Sequence, residues 1–179
     1  TELNMKDILM MTLAELEIYI AKQGRKDWSA ISRNPNLTEE FIEAHADEVD
    51  WSWISNYQML SEKFIEKYAN KVNWICVSGY QKLSEEFIEK HADEVYWNCI
   101  SSYQKLSEKI IERHAGEVDW RRISGCQKLS EKFIEKHADK VNWDYISIHY
   151  RQPAAADLAA VMYYACHVLV INLHFYHKL

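Results

Sequence analysis

Residues 83–103 read Leu-Ser-Glu-Glu-Phe-Ile-Glu-Lys-His-Ala-Asp-Glu-Val-Tyr-Trp-Asn-Cys-Ile-Ser-Ser-Tyr. The same stretch returns along the chain. Trp28, Trp51, Trp74, Trp97, Trp120 and Trp143 stand 23 residues apart. Leu37, Leu60, Leu83, Leu106 and Leu129 keep that spacing, as do Ser32, Ser55, Ser78, Ser101, Ser124 and Ser147. Coincident series of this length mark a repeat architecture.

Each unit reads as two helices. Thr38, Ser61, Ser84, Ser107 and Ser130 are good N-cap residues, and each is followed by glutamate, which suits the positive end of a helix. Phe87, Ile88, His91, Ala92 and Val95 then define one apolar face, predicting a first helix of about 11 residues. Asp50, Asn73, Asp119 and Asn142 precede the tryptophans as N-caps of a second, shorter helix, with Trp51, Ile54 and Ser55 on one side. Neither helix buries its stripe alone, so stacking of copies is required. The expected fold is all-α: a right-handed-type α-solenoid of short helix pairs, with distinct N- and C-terminal caps.

Three segments follow. Residues 1–36 read as an N-terminal cap and degenerate repeat. In it Thr12 and Glu15 form a capping box, and Ile18 and Tyr19 fall where Phe41 and Ile42 sit one repeat later. Residues 37–152 are the tandem repeats. Residues 153–179 are apolar and nearly uncharged, a C-terminal cap or association segment. A membrane span there is disfavoured by Asp157, His167, Asn172 and His174, each costly in lipid. A strand over 168–171 is the other reading of that run.

Composition narrows the function classes. The chain has 179 residues, a formal net charge of −6, four glycines and two prolines, which favours helices over a turn-rich β fold. All of the acidic excess lies in the repeats, a poor basis for gripping a phosphate backbone. Direct nucleic-acid binding, through Arg113, Arg121, Arg122 and Lys128, is therefore a minor reading. Cys76 and Cys99 hold one position in adjacent repeats, roughly 9–10 Å apart at helix-packing distance, beyond the reach of a disulfide. Reduced cysteines and the lack of a leader-like pattern point to a cytoplasmic setting, the host-cell cytoplasm for a viral protein.

No residue pattern calls for a cofactor, a metal or catalysis. His45, His91, His114 and His137 recur at one position, with Tyr68 replacing the histidine in one copy. Rungs that far apart cannot share a metal. They read as buried structural histidines bonded to the backbone of the next unit. In His-Ala-Asp, two residues apart, the side chains do not face each other. His174 and His177 stand one helical turn apart, without a second cluster to complete a metal site.

The positions that vary between copies are the candidates for binding. A repeat fixes its core and frees its surface. Just after each tryptophan, and just before the repeat tyrosine, stand Trp53, Asn56, Cys76, Asn98, Cys99, Arg121, Arg122 and Tyr145. Trp, Tyr and Arg among them are hot-spot residue types. These eight form the candidate partner-binding set.

The unit Trp-x-x-Ile-Ser-x-Tyr-Gln-x-Leu-Ser-Glu-x-Phe-Ile-Glu-Lys-His-Ala-Asp-x-Val resembles tandem repeats in uncharacterised proteins of bacteriophages and large DNA viruses. Trp97 through Val118 is close to that form, apart from Ile110, Arg113 and Gly116. Tyr68, Tyr96 and Cys126 also depart from the pattern. The resemblance covers residues 27–147 and implies binding to a host or viral protein, such as a basic site on a CRISPR nuclease. The leading expectation is thus a non-enzymatic protein-binding repeat protein, an inhibitor acting through an acidic elongated surface. The alternative is a structural homo-oligomer assembled through residues 153–179.

Overall fold

The computed structural model describes residues 5–22 and 24–150. The 153–179 segment, for which a cap, an association role or a strand was expected, lies outside the described residues. The chain divides into two compact units, Thr1–Val118 and Asp119–Leu179.

The first unit opens with α1 (Met5–Met10) and α2 (Leu13–Lys22). Helix pairs follow. The short helices are α3 (Trp28–Ser32), α5 (Trp51–Tyr57), α7 (Trp74–Tyr80) and α9 (Trp97–Tyr103). Alternating with them are α4 (Glu39–Ala44), α6 (Glu62–Lys67), α8 (Glu85–Lys90) and α10 (Glu108–Arg113). In the second unit α11 (Trp120–Cys126) and α13 (Trp143–Tyr150) flank α12 (Glu131–Lys136). All described elements are helical. Within the first unit α3, α5, α7 and α9 pack each on the next, as expected for a solenoid-like repeat.

Local chemistry starts each helix as the sequence predicts. Ser84 Oγ accepts the backbone N–H of Phe87 at 3.1 Å, and Ser61 and Ser130 do the same for Phe64 and Phe133, both at 3.2 Å. Asn73 Oδ1 takes the N–H groups of Ile75 and Cys76 at 3.0 and 3.2 Å. Tyr96 holds the same backbone conformation at the head of α9 but offers no side-chain cap.

The helix beginning at Glu85 is shorter than expected. It spans six residues, because His91 leaves the helical conformation at φ −112°, ψ 31°. The chain then makes a separate turn on the His91 carbonyl, which accepts from Glu94 and Val95, both at 3.0 Å. The apolar face continues through Val95 although the helix does not. Tryptophan closes that turn: the indole N–H of Trp97 donates to Ala92 O at 3.1 Å, and that of Trp74 to Ala69 O at 3.0 Å.

Each pair contributes one isoleucine from its glutamate-led helix, six residues long, and one aliphatic residue from its tryptophan-led helix, seven residues long. Ile54, Ile65, Val77, Ile88, Ile100 and Ile111 are all fully buried. Burying such a side chain contributes about 1.5–3 kcal/mol. At the start of the chain the expected register fails. Ile18 is 53% exposed, and it is Ile8 and Leu16 that pack with Ala30, Ile31 and Phe41. The capping box does form: Thr12 N–H donates to Glu15 Oε2 at 2.8 Å and starts α2 at Leu13. That start puts Leu16, one turn in, on the core side.

Candidate interaction surface

Polar ladders between repeats decide which side chains are occupied and which are left to solvent. The repeat serine is one rung. Ser55 Oγ donates to Trp51 O at 2.6 Å and accepts the Asn73 N–H at 2.9 Å. Ser78 repeats this with Trp74 O and Tyr96 N–H. The glutamine after the repeat tyrosine is a second. Gln81 Nε2 donates to Ser55 O at 2.9 Å and Gln58 O at 2.7 Å, while its Oε1 accepts the Leu60 N–H at 2.9 Å. Gln58 and Gln104 donate in the same way, each one repeat back. Sequence reasoning passed over these glutamines, although their invariant 23-residue recurrence was visible. A buried amide that must satisfy three backbone groups is the physical meaning of that invariance.

Carboxylates form the outer rungs. Glu39 and Glu62 accept the backbone N–H of Ser61 and Ser84, both at 2.5 Å. Glu43, Glu66 and Glu89 pair with Lys67, Lys90 and Arg113 of the following repeat. The hydrogen bond from Lys90 holds the Glu66 carboxyl below its ordinary range, and Lys71 does the same for Asp47. The same pairing raises the Lys67 ammonium above its ordinary value. Four carboxylates of the first unit, Glu43, Asp47, Glu66 and Glu89, are therefore matched by bases of the following repeat.

The histidines do not bond to the backbone of the next unit as expected. His91 lies against Phe87 and Trp74, with ring centroids 4.5 and 5.2 Å away. Its two ring nitrogens make no hydrogen bond, and Nε2 sits 3.6 Å from Glu66 Oε1 in the preceding repeat. His114 stacks on Trp97 at 4.3 Å with Glu89 at 3.7 Å. Packing between rings, with a carboxylate on the preceding repeat, takes the place of the expected bond. Among the described residues no group of three or more His, Cys, Asp or Glu is placed to hold a metal ion.

The predicted site residues fall on neighbouring short helices. In the first unit Trp53 and Asn56 lie on α5, Cys76 on α7, and Asn98 and Cys99 on α9. Only Asn98 is fully exposed; the other four are half-buried. They form the seam between short helices rather than an open edge. The Arg33 guanidinium lies 4.7 Å over the Trp53 ring, and Trp53 touches Tyr57 at 5.4 Å. Cys76 and Cys99 are free thiols. Burial pushes the Cys76 thiol up, with the neighbouring Cys99 adding to it. In the second unit Arg121 donates to the Tyr145 hydroxyl at 3.1 Å, and Arg122 pairs with Asp119 at 3.0 Å. Tyr145 leans on Gly125, where an added Cβ would stand 3.0 Å from its ring.

Outside this seam lies a feature the candidate set missed. Tyr57, Tyr80 and Tyr103 end α5, α7 and α9 and are 55%, 67% and 66% exposed. Met59 and Ile75, 94% and 48% exposed, lie on the same helices or their exits. The signal was present, since tyrosine recurs every 23 residues. A recurring aromatic reads as core, and only its burial separates a core ring from a displayed one.

No helix among the described residues is long and apolar enough to cross a membrane. No family model, curated protein or solved structure matches the chain.

Proposed function

We propose that the chain is a non-enzymatic protein-binding scaffold that works through the face carrying the C-terminal ends of its short helices. One observation carries this reading: three consecutive short helices each end in an exposed tyrosine at one register, Tyr57, Tyr80 and Tyr103. Apolar rings clustered on a surface mark contact sites more often than scattered ones do. Tyrosine is among the residues enriched at the centre of interfaces. The half-buried seam of Trp53, Asn56, Cys76 and Cys99, with Asn98 at its edge, lies on the same helices, and Trp53 packs against Tyr57. Arg121, Arg122 and Tyr145 form the corresponding candidate patch of the second unit.

The narrower reading is an inhibitor encoded by a phage or virus that covers a basic site on a host defence nuclease. It draws on the resemblance to viral repeats and on the net charge of −6. The pairing of Glu43, Glu66 and Glu89 with bases one repeat on reduces what an acidic face offers such a site. The aromatic face is therefore the better-supported contact, and the identity of the target rests on the resemblance alone.

Capture from a host lysate tests the scaffold. The native chain is compared with a Tyr57→Ala, Tyr80→Ala, Tyr103→Ala variant and with an Arg121→Ala, Arg122→Ala variant. The expected result is a protein retained by the native chain and reduced at least tenfold by one of the two. A chain that retains nothing, or retains its partner equally in all three forms, overturns the proposal.

A further inference from the structure

The tyrosine row has a spacing, a surrounding charge and a tilt, and together these specify what fits it. Short helices packed side by side set their rows about 9–10 Å apart, and α5, α7 and α9 are packed in this way. The last ring of the row does not stand free of the surface. Tyr103 lies back over the preceding helix, its Cδ2 3.7 Å from where a Gly79 Cβ would stand. That residue is small in the copy where the ring crosses it. The Tyr80 and Tyr103 hydroxyls bond to no described residue. Three exposed rings are thus offered at an interval of one helix spacing.

Two residues after Tyr80 and Tyr103 stand Lys82 and Lys105, both exposed and neither paired with a described carboxylate. This contrasts with Lys67, Lys71 and Lys90, which are held by acids of the repeat before. Lys63 and Lys109 are likewise exposed without a paired carboxylate, but only Lys82 and Lys105 follow a tyrosine of the row by two residues.

We propose that this face binds an acidic, proline-rich segment of a protein in the polyproline II conformation. That helix has three residues per turn and advances about 9 Å in a turn. A proline at every third position therefore meets one tyrosine after another without bending either partner. Aromatic rows are the usual receptors for such segments, whose preformed shape lowers the ordering cost of binding. Acidic residues between the prolines face Lys82 and Lys105. Single-stranded nucleic acid also stacks on aromatic rows beside lysines. Such a strand carries a phosphate at every nucleotide, against one carboxylate per turn in the peptide, so the chain's net charge of −6 opposes it more strongly, and it becomes an outcome of the test.

This inference rests on the tyrosine face being the contact surface. The probe is a fluorescein-labelled peptide of five Pro-Glu-Ala triplets, titrated with the full chain and followed by anisotropy. Tyr80→Ala is expected to weaken binding about tenfold, as removal of a hot-spot ring does. Tyr80→Phe, which keeps the ring, is expected to retain binding. Lys82→Glu with Lys105→Glu is expected to weaken the acidic peptide and to strengthen one of Pro-Lys-Ala triplets. Circular dichroism of each variant confirms that these exposed substitutions leave the fold in place.

Three results overturn the proposal: no binding of the acidic peptide, equal binding of a peptide with proline at every fourth position, or tighter binding of a 15-nucleotide oligothymidine. If the peptide fails while lysate capture still depends on the three tyrosines, the polyproline reading falls and the scaffold stands. If both fail, both fall.

Discussion

Gln81 satisfies three backbone groups with one amide. Its Nε2 serves the carbonyls of Ser55 and Gln58, and its Oε1 the N–H of Leu60. The side chain is buried, so water cannot take over these groups if it is removed. Gln81→Leu would keep the volume and leave two carbonyls and one N–H unpaired. Each such group costs about 1–3 kcal/mol, and partial relaxation makes the sum smaller than the parts. The expected loss is about 3 kcal/mol in urea unfolding. Lys82→Leu, next along the chain and exposed, is expected to change stability by less than about 0.5 kcal/mol. A Gln81→Leu loss below about 1 kcal/mol would show that the ladder is not what joins the repeats. Ser55 and Ser78 act by the same rule, each closing its own helix while holding the next repeat's first N–H.

At the scale of the helix, α9 is the incomplete one. Asp50, Asn73 and Asp119 each take two N–H groups at the start of their short helices. Tyr96 occupies the same position with φ −91° and ψ 101°, close to the −87° and 104° of Asn73, and caps nothing. Tyr96→Asn is therefore expected to stabilise the chain by about 0.5–1.5 kcal/mol, seen as a higher urea midpoint. The ring is 49% exposed, so little burial is lost. An unchanged or lower midpoint would mean that the ring's packing outweighs a cap. If Tyr96 contributes to the contact face, the stabilised variant should bind its partner less well, the usual cost of repairing a functional departure.

This helix also shows what sequence could reveal. The caps, the period and the buried isoleucines were legible, because each depends on one residue type at one place. The length of the helix beginning at Glu85 was not. Apolar periodicity runs on through Val95, whereas the break depends on the backbone angles of His91. Nor was the role of the histidine, since its surroundings come from Trp74 and Glu66 in the preceding repeat. Period alone did not separate Trp51, packed against the core, from Tyr57, displayed on the surface. Both recur every 23 residues, and only the direction of the side chain tells them apart.

At the scale of the array, every contact described within the first unit's repeats joins a residue to its own copy or to the neighbouring one. Stability in such a chain is approximately a sum of units and seams. If the seams are interchangeable, a whole repeat can be removed. Deleting residues 61–83 joins Leu60 to Ser84 and preserves the Leu-Ser junction. Glu39 would then meet the Ser84 N–H as it now meets that of Ser61, and Glu43 would meet Lys90 in place of Lys67. Ser55 would hold the Tyr96 N–H instead of Asn73's, and Gln104 would reach Ser55 and Gln58 as Gln81 does now. Asp47 would face Glu94 rather than Lys71, an exposed mismatch of small consequence. The shortened chain is expected to fold with unchanged helicity per residue and a lower denaturant m-value, in keeping with the smaller surface exposed on unfolding. Deleting residues 61–86 removes the Ser84 cap and Glu85 as well, so α8 loses its start and the seam to Ser107 loses its carboxylate. That chain is expected to lose helicity and cooperativity. If both deletions behave alike by circular dichroism and urea unfolding, the 23-residue ladder register is not what holds the repeats together.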